Sequence, residues 1–392
     1  MDFSRPETTQ AFAEEVERFV AEHVTPDVVE RALTTGTIHD EGLHHAMAQR
    51  RWVAAMWPES EGGAGLTTTE SMILVDRLHD AGAPLDGWFT TMCAASVVKA
   101  KGTDAQRAEV IPAVARGEAL MSLGFSEPES GSDVASARTK AVRDGDDWII
   151  NGQKMFTTMA HIARWVLLLC RTNTEVAKHR GLTMFLVPLD APGVVIHPVH
   201  TFGGERTNVT FYSDVRVPDS ARVGEVDGGW EVLTYSLTSE RGSAFGATSM
   251  FLGSARQVID EVTAWARAAE RDGRPVIEDT DARRRIARAE IDLEVARLLN
   301  HRSIAIADGG RTPDVEAAHG KLFSTETLQR TCSDLLDLMG EDGLLDHTAP
   351  GAPRAGLVEH AFRQSAVTTI YGGSSEVMRN IISQRGLGMP RG

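Results

Sequence analysis

Cysteine and tyrosine are both scarce in this chain, with three residues of each among 392. Cys93, Cys170 and Cys332 lie far apart in the sequence and show no metal-ligand spacing. A sparse, odd number of thiols is typical of proteins from a reducing compartment. We therefore expect free thiols and no bound metal. Because the first residues carry no apolar signal core, we also expect a cytoplasmic location.

Basic residues are also few. Lys and Arg total 40 against 55 Asp and Glu, which gives a net charge of −15. Non-specific nucleic-acid binding needs a basic face, so this class is excluded, although a local basic site for a phosphorylated ligand is not. The apolar run at residues 165–170 has the length of a strand. No run approaches the ~18 residues that a membrane span needs.

The hydrophobic period changes twice along the chain and predicts three domains. Residues 1–120 have helical spacing, residues 121–226 have strand spacing, and residues 227–392 are helical again. Apolar residues on one face identify the first helix: Phe12, Val16, Phe19 and Val20. Pro26 lies where this helix should stop, and the glycine-rich segment 57–66 should form a loop.

The middle zone predicts a compact antiparallel β domain. Short apolar runs bounded by Gly, Pro, Asp or Asn predict strands at residues 165–170, 183–187, 194–196 and 209–212. The run 148–150 is followed by Asn151 and Gly152. Both residues tolerate positive φ, so this pair predicts a hairpin turn.

The last zone predicts a four-helix bundle, because long amphipathic stretches alternate with short connections. One apolar stripe comprises Trp230, Leu233 and Leu237. Two more comprise Ile286, Ala289, Leu293 and Ala296, and then Leu328, Cys332, Leu335, Leu336 and Met339. Gly340 should close the last of these helices. The predicted fold class is therefore α+β, in the order helices, sheet, helical bundle.

Two central segments have the composition of a binding site. Residues 123–133, LGFSEPESGSD, should form a tight loop whose backbone N–H groups can bond a planar, electron-accepting ring. The alternative is an ordinary surface turn before the β domain. Residues 151–158, NGQKMFTT, by themselves indicate only a hairpin with an apolar strand.

A third segment, residues 369–379 with the sequence TIYGGSSEVMR, lies near the end of the chain. Together the three segments resemble the signatures of the flavin-dependent acyl-CoA dehydrogenases, and the resemblance extends over essentially the whole chain. It implies that family's fold: an N-terminal α domain, a central antiparallel β domain and a C-terminal four-helix bundle. It also implies FAD as the cofactor and an acyl-CoA thioester as the substrate.

The resemblance implies roles for the two central segments. Three residues match positions that face the flavin: Leu123, Phe125 and Ser126. Ser132 matches a serine at the thioester end of the ligand. Phe156 stands where the family commonly has a tryptophan that covers one flavin face, and Thr158 matches a threonine that bonds flavin N5.

Further matches concern the dinucleotide part of FAD. Ser374 and Glu376 match positions that contact it, while a solvated helix charge is the alternative interpretation of Glu376. Gly340 and Gly343 match a turn whose backbone meets the pyrophosphate bound by a neighbouring subunit. A simple helix cap explains Gly340 equally well.

One region departs from the common family pattern. The family places an arginine on the FAD of the partner subunit, within a motif that also holds a phenylalanine. Here residues 271–279 are shorter, more acidic and without that phenylalanine, which leaves Arg271 or Arg274 for the role. Members with this variant include some that work as mixed two-subunit assemblies.

The catalytic base is the second departure. Many family members carry it as a glutamate after the tyrosine of the third segment, where this chain has Gly372. Other members carry it on the first long helix of the bundle, just before an arginine. Glu240 and Arg241 match that arrangement, and the alternative is a surface pair. The resemblance leaves the backbone N–H of Gly372 as a donor to the thioester oxygen.

The expected activity is therefore dehydrogenation of an acyl-CoA to the trans-2-enoyl-CoA in lipid metabolism, as in fatty acid β-oxidation. Electron-transfer flavoprotein is the expected electron acceptor, and a homotetramer or a mixed two-subunit tetramer is the expected assembly. Two alternatives stay open. In the first alternative the chain is a partner subunit that has lost flavin or catalysis. In the second it is a monooxygenase or oxidase of the same fold.

Overall fold

The computed structural model of the protein describes the backbone of residues 7–242 and 247–390, and side chains within 9–238 and 248–390. The N-terminal part is helical: α1 (Glu7–His23), α2 (Pro26–Thr35), α3 (Glu41–Gln49), α4 (Thr68–Asp80), α5 (Asp86–Lys101) and α6 (Asp104–Ala115). Val16 and Phe19 of α1 are fully buried, as the helical spacing predicts. Pro26 follows the end of α1 and occupies the first turn of α2, where its missing N–H removes no hydrogen bond. Residues 57–66 form the predicted loop around one short 3₁₀ turn, Glu59–Glu61.

A sheet follows these helices. Its strands are β1 (Met121–Gly124), β2 (Lys140–Asp144), β3 (Asp147–Lys154), β4 (Trp165–Arg171), β5 (Leu182–Pro188), β6 (Val194–His200), β7 (Arg206–Pro218) and β8 (Arg222–Val223). The order across the sheet is β6-β7-β3-β2-β4-β5-β8, and β1 pairs with β4. The four predicted strand runs correspond to β4, β5, β6 and β7.

The sheet is mostly but not wholly antiparallel, which corrects the sequence-based expectation. β1 runs parallel to β4, with Met121 opposite Trp165, and β2 meets β4 in parallel at one residue pair. A parallel pair needs a long crossover connection. Residues 125–164, which include the β2–β3 hairpin, supply that connection.

The predicted hairpin turn at Asn151 and Gly152 is also wrong. β3 runs straight through both residues, and the turn lies earlier, around Gly145 with a φ of 65°. The pair instead forms an irregularity opposite β7, where the register shifts between Ile150 and Gly152. A Cβ at position 152 would lie 2.7 Å from Cα of Thr139, so the site needs glycine for space as well as for its φ of 150°.

β4 separates two apolar cores. Trp165, Leu167 and Leu169 pack into a core shared with the N-terminal helices, and the alternate residues pack into a second core on the other face of the sheet. All of its residues are buried. A strand covered on both faces is a continuous apolar run, which is the pattern that identified β4 in the sequence.

The C-terminal part is helical: α7 (Gly229–Gly242), α8 (Ala247–Ala268), α9 (Thr280–Asp308), α10 (Asp314–Met339), α11 (Leu357–Thr368) and α12 (Ser375–Ile381). A two-stranded ribbon, β9 (Glu270–Arg271) and β10 (Arg274–Pro275), joins α8 to α9. Helices α8 to α11 form the four-helix bundle around a core that contains Val258, Ala289 and Leu335. Gly340 closes α10 with a φ of 62°, as predicted.

Helix α7 lies partly outside this bundle. Val232 and Leu233 belong to the core beneath the N-terminal helices, and α7 also packs against α5 and β5. It contacts α8, α9 and α10 as well, so it lies between the N-terminal helices and the bundle. No helix within the described ranges is long and apolar enough to cross a membrane.

Candidate functional site

The segment 123–133 starts with the last two residues of β1 and continues as a loop. Glu127 and Ser130 close its tight turn with two backbone hydrogen bonds, from Glu127 N to Ser130 O (2.8 Å) and from Ser130 N to Glu127 O (3.0 Å). The predicted ligand-facing side chains sit at its rim. Three of them are half-buried and Ser132 is exposed: Leu123, Phe125, Ser126 and Ser132.

A buried ion pair fixes this loop to β3. The Glu127 carboxylate accepts hydrogen bonds from Lys154 Nζ (2.8 Å), from Arg138 N (2.7 Å) and from Thr139 N (2.9 Å). Burial by itself would raise the pKa of Glu127, but the Lys154 charge and these hydrogen bonds outweigh it and lower the pKa. Burial lowers the pKa of Lys154 against the opposing charge of Glu127. Lys154 Nζ also donates to the carbonyl of Phe125 at 3.1 Å.

The second segment continues from β3 along the same loop. Met155 N donates to Ser126 O at 2.9 Å, and Ser122 Oγ donates to Thr158 O at 2.8 Å. Phe156 is 58% exposed and has a φ of 60°, although a bulky side chain rarely adopts a positive φ. The structure therefore brings the predicted flavin-facing residues of both segments onto one surface.

The third segment is anchored to α10. Lys321, which is buried, donates from Nζ to Gly373 O (2.6 Å) and to Thr368 O (3.0 Å). Gly372 and Gly373 have φ values of 65° and 100°, a region that favours glycine. The missing side chain at position 372 therefore has a conformational basis in the turn itself.

Ser374 and Glu376 begin α12. Ser374 is the N-cap residue, and its hydroxyl accepts a hydrogen bond from Val377 N at 3.4 Å. Glu376 is exposed, and a hydrogen bond with the Ser374 side chain lowers its pKa. Both residues thus have a structural role in starting the helix, alongside the cofactor role that the resemblance implies.

A separate group of predicted residues lies at the α10 C-terminus. Arg271 on the ribbon donates from Nη2 to Leu338 O at 3.0 Å, two residues before Gly340. A Cβ at Gly343 would lie 2.7 Å from Leu336 O, so this turn passes too close to α10 for a side chain. Arg271, Gly340 and Gly343 therefore share one end of the bundle. Arg274 lies opposite Arg271 in the ribbon.

The predicted base lies on α7, but its side chain is outside the described residues, as is that of Arg241. The helix that includes Glu240 is anchored upstream: Leu233 is fully buried and Leu237 packs against the same core. Position 240 follows Leu233 by seven residues and Leu237 by three, so it continues that helical face.

Sequence reasoning missed the residues that hold this surface together. Glu127 and Lys154 are each the buried charged member of a segment that was otherwise recognised. Lys154 is the single basic residue in either segment, and pairing it with a glutamate of the other segment was the signal available in the sequence. Ser122 and Lys321 donate hydrogen bonds to backbone carbonyls of distant residues, and no local spacing in the sequence predicts such contacts.

The fold defines a protein of N-terminal helices, a central sheet and a C-terminal helical bundle, in which hydrogen bonds join the two central segments. Family models match three successive parts of the chain: acyl-CoA dehydrogenase N-terminal domain at residues 6–118, middle domain at 122–216 and C-terminal domain at 227–387. The chain belongs to the acyl-CoA dehydrogenase family. Members of this family are flavin-dependent oxidoreductases that act on acyl-CoA.

Individual relatives agree with this assignment. Acyl-CoA dehydrogenase FadE26 from Mycobacterium tuberculosis is 36% identical over 364 residues, which cover 91% of this chain and 89% of the relative. Among solved structures, a chain of the Tcur3481–Tcur3483 steroid ACAD superposes with a TM-score of 0.91 at 33% identity. A chain of the ChsE4–ChsE5 complex from Mycobacterium tuberculosis does so with a TM-score of 0.90 at 34% identity. Both structural matches cover 100% of each chain.

Proposed function

We propose that this chain is an FAD-dependent acyl-CoA dehydrogenase that converts an acyl-CoA to the trans-2-enoyl-CoA, with Glu240 as the general base. The observation that carries the proposal is the joined surface of the two central segments. Met155 N bonds Ser126 O at 2.9 Å, and the aromatic ring of Phe156 is left exposed beside that contact. Family membership and the steroid and acyl-CoA relatives support it.

The residues at this surface fit a planar ring. Phe156 offers an exposed aromatic ring on a backbone held at a positive φ. The residues that would hold the flavin ring are Phe156, Leu123, Phe125, Ser126 and Thr158. When bound, the ring supplies the acceptor for the hydride that leaves the β-carbon.

The protein supplies the other half of the reaction, removal of the α-proton. We assign removal of this proton to the Glu240 carboxylate, since Gly372 has no side chain. The backbone N–H of Gly372 donates a hydrogen bond to the thioester oxygen and stabilises the negative charge that develops there. Ser132 contacts the thioester end of the substrate, and Arg241 adjoins the base in the substrate site. Ser374 and Glu376 contact the dinucleotide part of FAD.

The site extends over more than one subunit in this proposal. Arg271, Gly340 and Gly343 lie together at one end of the bundle, and we assign them to the FAD pyrophosphate of a neighbouring subunit. Electron-transfer flavoprotein is the proposed electron acceptor. We place the protein in the cytoplasm, where free thiols are maintained.

A mixed assembly is the second candidate. One structural relative carries two protein names, Tcur3481–Tcur3483 steroid ACAD, and the other is named the ChsE4–ChsE5 complex. A mixed tetramer with a second chain of the same family is therefore favoured over a homotetramer. The name steroid ACAD also makes a bulky, steroid-derived acyl thioester the first substrate to test.

Anaerobic flavin bleaching tests the proposal. The full chain, alone and co-purified with any second subunit, would be mixed without oxygen with steroid side-chain, cyclic, branched and straight-chain acyl-CoA thioesters. Loss of the oxidised flavin band with at least one thioester is expected, together with the matching enoyl-CoA. A flavin-free chain would identify a partner subunit without flavin. Rapid oxygen consumption by the reduced enzyme would indicate a monooxygenase or oxidase.

A further inference from the structure

The backbone N–H and C=O of Thr157 are both bonded to a single residue of β7, Asn208. Thr157 N donates to the backbone carbonyl of Asn208 at 2.9 Å, and Asn208 Nδ2 donates to the carbonyl of Thr157 at 3.0 Å. Neither residue is exposed to solvent. Thr157 Oγ1 also lies 3.3 Å from Thr210 Oγ1 on the same strand. The main chain between Phe156 and Thr158 therefore has both of its polar groups fixed.

The orientation of the Asn208 amide is itself determined. Its Oδ1 accepts a hydrogen bond from Arg206 Nε at 3.3 Å, while its Nδ2 lies 3.2 Å from His161 Nδ1. A reversed amide would place oxygen against the Thr157 carbonyl and nitrogen against the arginine. Both contacts would then be repulsive, so one orientation is selected.

His161 completes the network in one protonation state. Because an amide nitrogen can only donate, Nδ1 of His161 is the acceptor, and its proton sits on Nε2, 3.1 Å from Thr37 Oγ1. Burial, aided by the charge of Arg206, lowers the pKa of His161 to about 4, which keeps the ring neutral near pH 7. The chain of contacts thus runs from the α2–α3 connection, through His161 and Asn208, to Thr157.

Thr157, the residue held by Asn208, lies between the two residues that the proposed function places against the flavin. Phe156 precedes it at a φ of 60°, and Thr158 follows it with its own carbonyl held by Ser122 Oγ at 2.8 Å. A positive φ at a phenylalanine persists only where surrounding contacts hold it. The Asn208 clamp is such a contact, and Asn208 and Thr157 are both fully buried.

We propose that Asn208 is a positioning residue that sets the geometry of Phe156 and Thr158 towards the cofactor. The inference rests on the proposed function, because it presumes that these two side chains meet FAD. It predicts that losing the amide donor changes cofactor binding and the cofactor's electronic surroundings, not only the stability of the fold.

Asn208→Asp is the sharpest test, since it keeps the shape and removes the donor to Thr157. It also turns a carboxylate towards a carbonyl. A buried acceptor without its donor corresponds to a loss of about 10- to 100-fold in an equilibrium constant. The FAD dissociation constant is expected to rise by that factor, with a shift in the visible absorption and in the reduction potential of the flavin that remains bound.

Asn151→Asp is the matched control. Asn151 lies on the paired strand β3, and its exposed amide donates to Asp214 Oδ1 at 2.9 Å, so the same substitution removes an amide donor without touching the backbone of residues 156–158. The control is expected to leave FAD affinity, spectrum and potential unchanged. Equal FAD affinity and spectra for wild type, Asn208→Asp and Asn151→Asp would overturn the inference.

His161→Leu covers the case in which Asn208→Asp does not fold. It leaves Asn208 in place but removes the acceptor that orients its amide, so a smaller change of the same sign is expected in the spectrum and the FAD dissociation constant. If His161→Leu leaves the flavin spectrum and the FAD dissociation constant unchanged, the inference about Asn208 is wrong, but the proposed function of the wild-type protein is unaffected. A wild-type chain that binds no FAD in any assembly would overturn the proposed function and this inference with it.

Discussion

The Lys154 ammonium lies 2.8 Å from the Glu127 carboxylate, and both groups are almost completely withdrawn from solvent. Each belongs to a different segment of the candidate site. Because Lys154 also bonds the Phe125 carbonyl, this pair joins the loop after β1 to the end of β3. Glu127 and Lys154 are 27 residues apart along the chain, and their ion pair joins the two segments.

Breaking this pair should destabilise the protein strongly. Glu127→Gln leaves the Lys154 ammonium buried without a counter-charge, which should lower the free energy of unfolding by about 3–5 kcal/mol. Urea unfolding of the flavin-free protein measures the change. Glu129→Gln is the control, since its partner Arg138 and Glu129 itself are both exposed and such pairs contribute at most about 1 kcal/mol. Similar losses of unfolding free energy for the two variants would show that the buried pair stabilises the protein no more than an exposed one.

The aromatic ring of Phe156 should contribute to cofactor binding but little to the stability of the flavin-free fold. Its side chain is 58% exposed, so Phe156→Ala removes few internal contacts. The FAD dissociation constant should rise at least about tenfold, the scale of losing one aromatic stacking contact. Phe202→Ala, at another exposed phenylalanine on the β6–β7 connection, should leave it unchanged. A loss of FAD affinity that is the same for both variants would contradict the assigned position of the flavin.

His79 should make the protein less stable in mild acid. Burial lowers its pKa to about 3, and its ring stacks on Phe89 with centroids 5.2 Å apart. The unfolded chain binds a proton near pH 6.5 that the folded chain does not, so stability falls as the pH drops below that value. Through this group alone, the free energy of unfolding should fall by about 1.4 kcal/mol between pH 7.5 and 5.5.

His79→Phe removes that contribution and keeps a ring against Phe89. Unfolding free energies of both proteins at the two pH values give the difference, in which the remaining titratable groups cancel. The variant should lose less stability than the wild type on acidification. Parallel pH dependence of the two proteins would mean that folding does not lower the pKa of His79.

The contributions of Arg271 and Arg274 to FAD binding can be distinguished by making the same substitution at each position. Arg271→Gln should raise the FAD dissociation constant about 10- to 100-fold, because it removes a charge-assisted hydrogen bond to the pyrophosphate. Arg274→Gln should have little effect, since Arg271 is the one bonded to Leu338 O beside Gly340. Light scattering must show that both variants keep the wild-type assembly. The opposite order of the two effects would assign the role to Arg274.

The sequence predicted elements whose cause is local or periodic. The apolar stripe of α1, the continuous run of β4 and the glycine after α10 were all correct, because each follows from spacing or from one backbone angle. The turn at Asn151 and Gly152 was wrong, because local preference for positive φ is shared by turns and by irregular positions within strands. Only the pairing with β7 decides between the two.

In the candidate site, too, the sequence predicted the local features but not the contacts between distant residues. Phe156 and Ser126 were identified from their motifs, but their proximity depends on the hydrogen bond from Met155 N to Ser126 O. Asn208 was missed entirely. It lies some 50 residues from Thr157, and its role rests on a side chain that reaches a backbone carbonyl, which leaves no periodic trace in the sequence.

The position of the catalytic base is the central claim, and the rate of the reductive half-reaction tests it most directly. With an acyl-CoA that bleaches the wild-type flavin, Glu240→Gln should slow reduction by about 10²- to 10⁴-fold. Glu231→Gln is the control on the same helix, where the exposed Glu231 carboxylate pairs with Lys101 at 2.6 Å, and its rate should stay within about twofold because it takes no part in proton transfer. A loss below about tenfold for Glu240→Gln would contradict the assignment.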